Sequence, residues 1–247
     1  MIPTARPPSG RLERWRFDAL DLAADLRDRV GPSHPGLRCV VTGSPRSGTS
    51  FLTGLIHRLG MRCGPRRWLK PADAHNRFGY YECVPLKSIE KKALDRLGVT
   101  FHEPTGLTPG WTRRTPDLQR RVARIVRTGR IDLYKGNRLV VLAELIDTLY
   151  PEARWVFIHR DSDESFRSRF GEEMTRDQWR AVTERRMSVW RASGPAEHAL
   201  YLDYDDFRAN LDQTIDRLAA HLDLRPTARQ RRAARAFFQP RPSRRAA

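Results

Sequence analysis

Gly43-Ser44-Pro45-Arg46-Ser47-Gly48-Thr49-Ser50 brings two glycines, four hydroxyl side chains and an arginine into eight consecutive residues. Small residues let several backbone N–H groups converge on one anion, most effectively where a turn opens into the positive end of a helix. The pattern nearly completes the nucleotide-triphosphate loop G-x-x-x-x-G-K-[ST], but Thr49 stands in the lysine place. That lysine neutralises the β- and γ-phosphates, so its replacement argues against phosphoryl transfer from ATP and leaves anion binding intact.

Two more cations follow apolar runs. Ile131-Asp132-Leu133-Tyr134 ends at Lys135, and Arg154-Trp155-Val156-Phe157-Ile158-His159 ends at Arg160, with Ser168 eight residues on. An arginine fork beside a hydroxyl is a good receptor for a phosphate monoester. Asp161, in the place of a kinase's metal-binding acid, reads more simply as a helix N-terminal residue.

The elements that must position these residues alternate. Arg38-Cys39-Val40-Val41-Thr42 is a buried strand that stops at Gly43, and 49–59 is a helix with Phe51, Leu52, Leu55, Ile56 and Leu59 on one stripe. Helices are expected near 11–30, 86–97, 118–127, 139–149, 162–170, 175–191, 206–222 and 227–238. Further strands are expected at 131–134, 154–159 and 199–202. Residues 61–83 and 98–116 lack a clean period and read as long loops. Strand–helix alternation predicts a single α/β domain: a mostly parallel central sheet with helices on both faces. Ligands of such sheets bind beyond the C-terminal strand ends, where the cations above lie.

The loop resembles the 5′-phosphosulfate loop of the sulfotransferases that use 3′-phosphoadenosine 5′-phosphosulfate (PAPS). The family has a basic residue where Arg46 stands and hydroxyls where Ser47, Thr49 and Ser50 stand. Arg160 and Ser168 are similar to its 3′-phosphate pair, and Lys135 to its strand-end lysine. Asn76-Arg77-Phe78-Gly79-Tyr80-Tyr81-Glu82 resembles a Gly-Tyr-aromatic-Glu element of bacterial members, and 201–207 resembles a late strand-to-helix turn. The resemblance spans about residues 37–240 and implies a P-loop-like architecture, PAPS as donor, adenosine 3′,5′-bisphosphate (PAP) as product, and no metal. It implies donor binding by Arg46, Ser47, Gly48, Thr49, Ser50, Arg160 and Ser168, with Arg46 and Lys135 meeting charge on the leaving oxygen. Asn137 occupies the place of the catalytic histidine of the animal enzymes, and their late Arg-Lys-Gly motif is absent. Some other group must therefore take the acceptor's proton. Glu82 is preferred because neighbouring rings could shield it and raise its proton affinity, with His102 and then His75 behind it. A plain helix N-terminal acid is the competing reading of Glu82.

Composition bounds the rest. With 247 residues, 39% of them apolar, the chain suits one globular core; no run reaches the length of a membrane span and no secretory h-region is present. Cys39, Cys63 and Cys83 fit neither a disulfide framework nor a zinc spacing, which predicts reduced thiols in a cytoplasmic protein. The net charge of +17 comes mostly from arginine, as only five of the 46 cations are lysines. That bias fits either a GC-rich genome or a polyanionic ligand. The row Arg120, Arg121, Arg124 and Arg127 is a solvated helix face or an anion-docking surface. Arginines within 225–247 are an anion-contacting arm, Arg241, Arg244 and Arg245 included, or a solvated tail. The expected layout is a loose 1–10, a catalytic domain at 11–240 and a basic tail at 241–247. The acceptor is a small molecule, glycan or lipid, not nucleic acid, contacted by the two long loops and the helix near 175–191. There Trp68, Tyr80, Trp111 and Trp179 either line a pocket or pack. A P-loop-like small-molecule kinase and a non-enzymatic polyanion or nucleic-acid binder are the competing functions; the kinase needs Thr49 to serve in the lysine place, and the binder leaves the ordered loop, Lys135 and Arg160/Ser168 unexplained.

Overall fold

The computed structural model describes residues 36–44, 46–73, 76, 79–104, 107, 110–168 and 174–237. The expected segments at 1–10 and 11–30, together with Pro45, His75, Arg77, Phe78, Arg241, Arg244 and Arg245, lie outside the described residues.

Strands β1 (Cys39–Gly43), β2 (Leu133–Lys135), β3 (Arg154–His159) and β4 (Leu200–Asp203) form a wholly parallel sheet in the order β2-β1-β3-β4. All five residues of β1 are buried, as a central strand covered on both faces requires. Side chains alternate across the sheet. Val41, Val156 and Ile158 enter a cluster with Leu52, Leu55 and Ile56 of α1 (Thr49–Arg58), Leu218 of α8 (Leu211–His221) and Ala234 of α9 (Ala228–Phe237). On the opposite face Trp155 and Phe157 meet Trp190 of α6 (Arg176–Arg191), with ring centroids 5.6 and 4.9 Å apart. The remaining helices are α2 (Val84–Leu97), α3 (Pro116–Gly129), α4 (Leu139–Asp147), α5 (Ser162–Arg167) and α7 (Tyr204–Ala209).

The described residues thus form a single α/β domain with helices flanking a parallel sheet, as the alternation predicted. From β1 the chain passes to β2 on one side, and from β3 to β4 on the other. This reversal opens a crevice at the C-terminal ends of β1 and β3, where ligands of such sheets are held.

Several boundaries differ from expectation for local reasons. The helix expected over 206–222 is two, because Asn210 has φ −128° between α7 and α8, and Asp203 caps α7 by accepting from the Asp205 N–H. α2 starts at Val84, since Pro85 is tolerated in a first turn. The helix expected to reach 170 ends at Arg167, and Asp161 is its N-cap, accepting from the N–H groups of Asp163 and Glu164. The long loops contain short 3₁₀ turns at Arg66–Trp68 and Trp111–Arg114. Trp68, Trp111 and Trp179 are buried packing residues, and the Trp179 indole donates to Ser165 Oγ at 2.8 Å.

Among the described residues no helix is long and apolar enough to cross a membrane. The three cysteines are buried and unbridged. Burial pushes Cys63 and Cys83 up to about 12, which leaves them unreactive thiols. In the basic C-terminal stretch Arg231 pairs with Asp216 and Arg235 with Asp212, so these two arginines tie α9 to α8.

Candidate active site

The loop after β1 is tightly specified. Gly48 has φ 92°, and a Cβ there would lie 2.6 Å from the Tyr204 ring, so only glycine lets the loop rest on α7. Arg46 also takes a left-handed conformation, with φ 65°, as does Tyr81 with φ 54° beside Glu82. Non-glycine residues rarely adopt such angles unless their surroundings enforce them. Ser47 is fully buried, and its hydroxyl donates to the Ser44 carbonyl at 2.6 Å, which closes the turn. Ser44 Oγ is buried with no hydrogen-bond partner among the described residues. α1 begins immediately afterwards, so its first-turn N–H groups, unpaired within the helix, adjoin the loop.

Across the crevice, Arg46 Nε donates to the Ser168 carbonyl at 2.7 Å. Arg160 Nη1 donates to Ser168 Oγ at 3.3 Å and reaches the Arg46 carbonyl at 3.4 Å. Glu164 accepts from Arg160 Nε at 3.2 Å, and the guanidinium lies over the Tyr204 ring, 4.5 Å from its centroid. Arg46, Arg160 and Ser168, 122 residues apart at the extremes, therefore meet at the junction of β1 and β3.

A second cluster lies on the β2 side of β1. Lys135, 2% exposed, donates to Glu82 Oε1 at 2.8 Å and to Ser50 Oγ at 3.3 Å. The other Glu82 oxygen is paired with Lys87 of α2. Burial alone would push the Glu82 carboxyl up, but Lys135 and Lys87 outweigh it and hold it down at about 2. Burial likewise pulls Lys135 down from the ordinary amine range, and the Glu82 carboxylate opposes that pull. Lys135 and Glu82 thus form a buried salt bridge, with Lys87 on the second carboxylate oxygen. The expectation that aromatic neighbours raise the proton affinity of Glu82 is corrected: two ammonium groups lower it. Nor does Glu82 cap α2, whose N-cap residue is Cys83. Thr49 Oγ1 donates to Asn137 Oδ1 at 3.0 Å, so the hydroxyl in the P-loop lysine place ties α1 to the β2–α4 turn.

His102 lies against α6. Its Nδ1 is 2.9 Å from Arg186 Nη2, and Arg186 Nε donates to the Phe101 carbonyl at 2.8 Å. Tyr80 donates to both oxygens of Asp73 and sits under the Lys70 ammonium. No group of three or more metal-ligating side chains occurs among the described residues.

Residues 39–228, well over half the chain, match the model described as "Sulfotransferase family". The chain belongs to the sulfotransferase family. Two solved sulfotransferases share its fold. STF1 from Mycobacterium tuberculosis H37Rv is 14% identical, with a TM-score of 0.55 over 91% of this chain and 80% of that one. STF9 from Mycobacterium avium is 16% identical, with a TM-score of 0.53 over 94% and 77%. A search of curated sequences gives no significant match.

Sequence reasoning missed Ser44, Lys87 and Glu90 in this sulfotransferase. Lys87 is signalled only by its place one turn into a helix that follows Glu82. Glu90 had a clearer signal: it interrupts the apolar stripe Leu86, Ile89, Ala93 and Leu94, where a carboxylate is buried only with partners.

Proposed function

We propose that the chain transfers a sulfuryl group from PAPS to a hydroxyl or amine of a small-molecule, glycan or lipid acceptor. The observation that carries this reading is the junction of Arg46, Arg160 and Ser168 at the β1/β3 crevice. The Arg160 guanidinium beside the Ser168 hydroxyl suits a ribose 3′-phosphate, and Arg46, tied to the Ser168 carbonyl, links that receptor to the loop. The adjoining loop, with Gly48 at its helix entry and the unpartnered Ser44 hydroxyl inside it, suits a 5′-phosphosulfate.

In the proposed reaction the acceptor oxygen attacks sulfur as the bond from sulfur to the bridging phosphate oxygen breaks. The products are a sulfate ester, PAP and one proton. Charge growing on the leaving oxygen is met by Lys135, Arg46 and the N–H groups around Gly48, Thr49 and Ser50. Ser47 shapes the loop through its bond to Ser44, and Thr49 holds Asn137 in register. Glu82 takes the proton. A carboxylate held at about 2 is a weak base, but the cause of that weakness is Lys135. As Lys135 turns to the leaving oxygen, Glu82 keeps only Lys87, and its proton affinity rises when it is needed. We further propose that the catalytic unit lies within residues 11–240 and works in the cytoplasm, where unbridged thiols stay reduced.

The test has two steps. PAP should raise the melting temperature, whereas ATP·Mg²⁺ and arbitrary DNA should not. PAPS should then yield PAP and a sulfated product against a panel of phenols, sugars and lipids. Stabilisation by ATP·Mg²⁺ alone would assign the site to a kinase, and salt-sensitive DNA binding without turnover to a polyanion binder.

A further inference from the structure

Glu90 is 3% exposed, lies on α2 and belongs to no step above. Its Oε1 accepts from the Tyr134 hydroxyl at 2.5 Å, and its Oε2 lies 3.7 Å from Arg138 Nη1. Gly136 sits directly on it: a Cβ at that position would overlap Oε1. One carboxylate thus contacts three residues of the stretch 134–138, and the two residues it skips are Lys135 and Asn137. The same turn is fastened elsewhere by Thr42 Oγ1, which donates to the Gly136 carbonyl at 2.9 Å, and by Thr49 on Asn137.

We propose that Glu90 is a positioning residue: it braces the β2–α4 turn from α2, and its negative charge keeps the buried Lys135 protonated. This rests on the reading of Lys135 as the group that meets the leaving oxygen. The charged and titratable groups facing Glu90 are Tyr134 and Arg138 on the turn, Lys135 at the strand end, and Glu82, Cys83 and Lys87 at the start of α2. With Glu82 and Glu90 ionised, these groups and Glu90 together are net +1, and both carboxylates oppose the effect of burial on Lys135, Glu82 the more strongly. Burial raises Glu90 itself to about 7, against the bond from Tyr134 and the charge of Arg138. Protonation of Glu90 removes the negative end of the Arg138 pair and so loosens the brace on the turn that carries Lys135. Turnover should therefore fall as pH drops through about 7.

The experiment is ¹³C NMR titration of the ε-carbons in the full chain, feasible because the sequence has only five lysines. Lys135 is assigned by loss of its signal in Lys135→Met. In Glu90→Gln the Lys135 midpoint should drop by at least about half a pH unit, roughly a threefold loss of proton affinity. Glu90→Asp, which keeps the charge, should restore most of it. Turnover of PAPS should fall about tenfold in Glu90→Gln with PAP affinity unchanged, and its acidic limb should vanish. Tyr134→Phe removes a bond that favours the ionised acid, so it should move the Glu90 titration and the acidic limb to higher pH. An unchanged Lys135 midpoint in a folded Glu90→Gln overturns the proposal. If that variant does not fold, an unmoved Glu90 titration in Tyr134→Phe overturns it. Failure of the wild type to turn over PAPS would instead strike the functional reading, leaving the NMR result to stand alone.

Discussion

Breaking the Lys135–Glu82 pair should cost more stability from either side than removing both partners together would suggest by addition. Lys135→Met keeps the apolar stem and deletes the ammonium, with its 2.8 Å contact to Glu82 and its 3.3 Å contact to Ser50. At that separation and an effective dielectric near 20 the gross attraction is about 6 kcal/mol, most of which offsets desolvation. Glu82 retains Lys87, a side chain 37% exposed, so the loss should sit below the usual range for a fully buried pair, at about 2 kcal/mol. Glu82→Gln takes from Lys135, 1% exposed at the side chain, its direct carboxylate partner and leaves the 3.3 Å contact to Ser50 and the charge of Glu90, so it should cost about 3 kcal/mol. The double variant strands no buried charge, since Lys87 is partly exposed, so a double-mutant cycle in urea should return a coupling of about 2–3 kcal/mol. Acid adds a second readout. The Glu82 carboxyl lies at about 2 against its ordinary 4.5, so its contribution is complete above the unfolded value and is lost as pH falls toward the folded one. That window should account for about 3 kcal/mol in the wild type and for none in Glu82→Gln. A coupling below about 0.5 kcal/mol would mean that the two side chains act independently, and the exchange of Lys135 between Glu82 and the donor would lose its basis.

Two further outcomes follow from the crevice. Arg160→Ala should weaken PAP by about 2–3 kcal/mol in calorimetric titration and Ser168→Ala by about 1 kcal/mol; wild-type affinity in both would displace the 3′-phosphate assignment. Gly48→Ala should lower the melting temperature and abolish PAP binding together, because a Cβ 2.6 Å from the Tyr204 ring forces the loop off α7; binding retained at full affinity would show that the loop's path is not set there.

The β1/β3 side of this candidate site was legible in the sequence because its parts are strand ends. An apolar run that stops at a glycine, or at Arg160, announces both the element and the residue that projects beyond it. The β2 side was less so. Glu82, Lys87 and Glu90 come from the start of α2 and the loop before it, and nothing in their spacing says that all three converge on the end of β2, more than 40 residues away. The direction of the Glu82 shift was missed for the same reason. Its aromatic neighbours in sequence were visible, whereas its two ammonium partners are set by tertiary contact. The single long helix expected over 206–222 failed on a different scale: Asn210 and the Asp203 cap are local choices that a broad apolar period smooths over.

β1 explains why the two halves belong to one site. The Arg46–Arg160–Ser168 cluster sits between its end and that of β3, and the lysine–carboxylate cluster between its end and that of β2. The loop and the start of α1 touch both, through Arg46 to Ser168 on one side and through Thr49 to Asn137 and Ser50 to Lys135 on the other. A ligand that pulls on the loop therefore pulls on the turn that carries Lys135. This gives the threonine in the P-loop lysine place a positive role. A lysine there would bring its own charge to the loop and would lose the hydroxyl bond to Asn137, whereas Thr49 leaves the cationic task to Lys135, which arrives from a different strand already paired with Glu82. Under the proposed function that division has a use: the ammonium proposed to meet the leaving oxygen and the carboxylate proposed to take the proton are held together until the donor separates them.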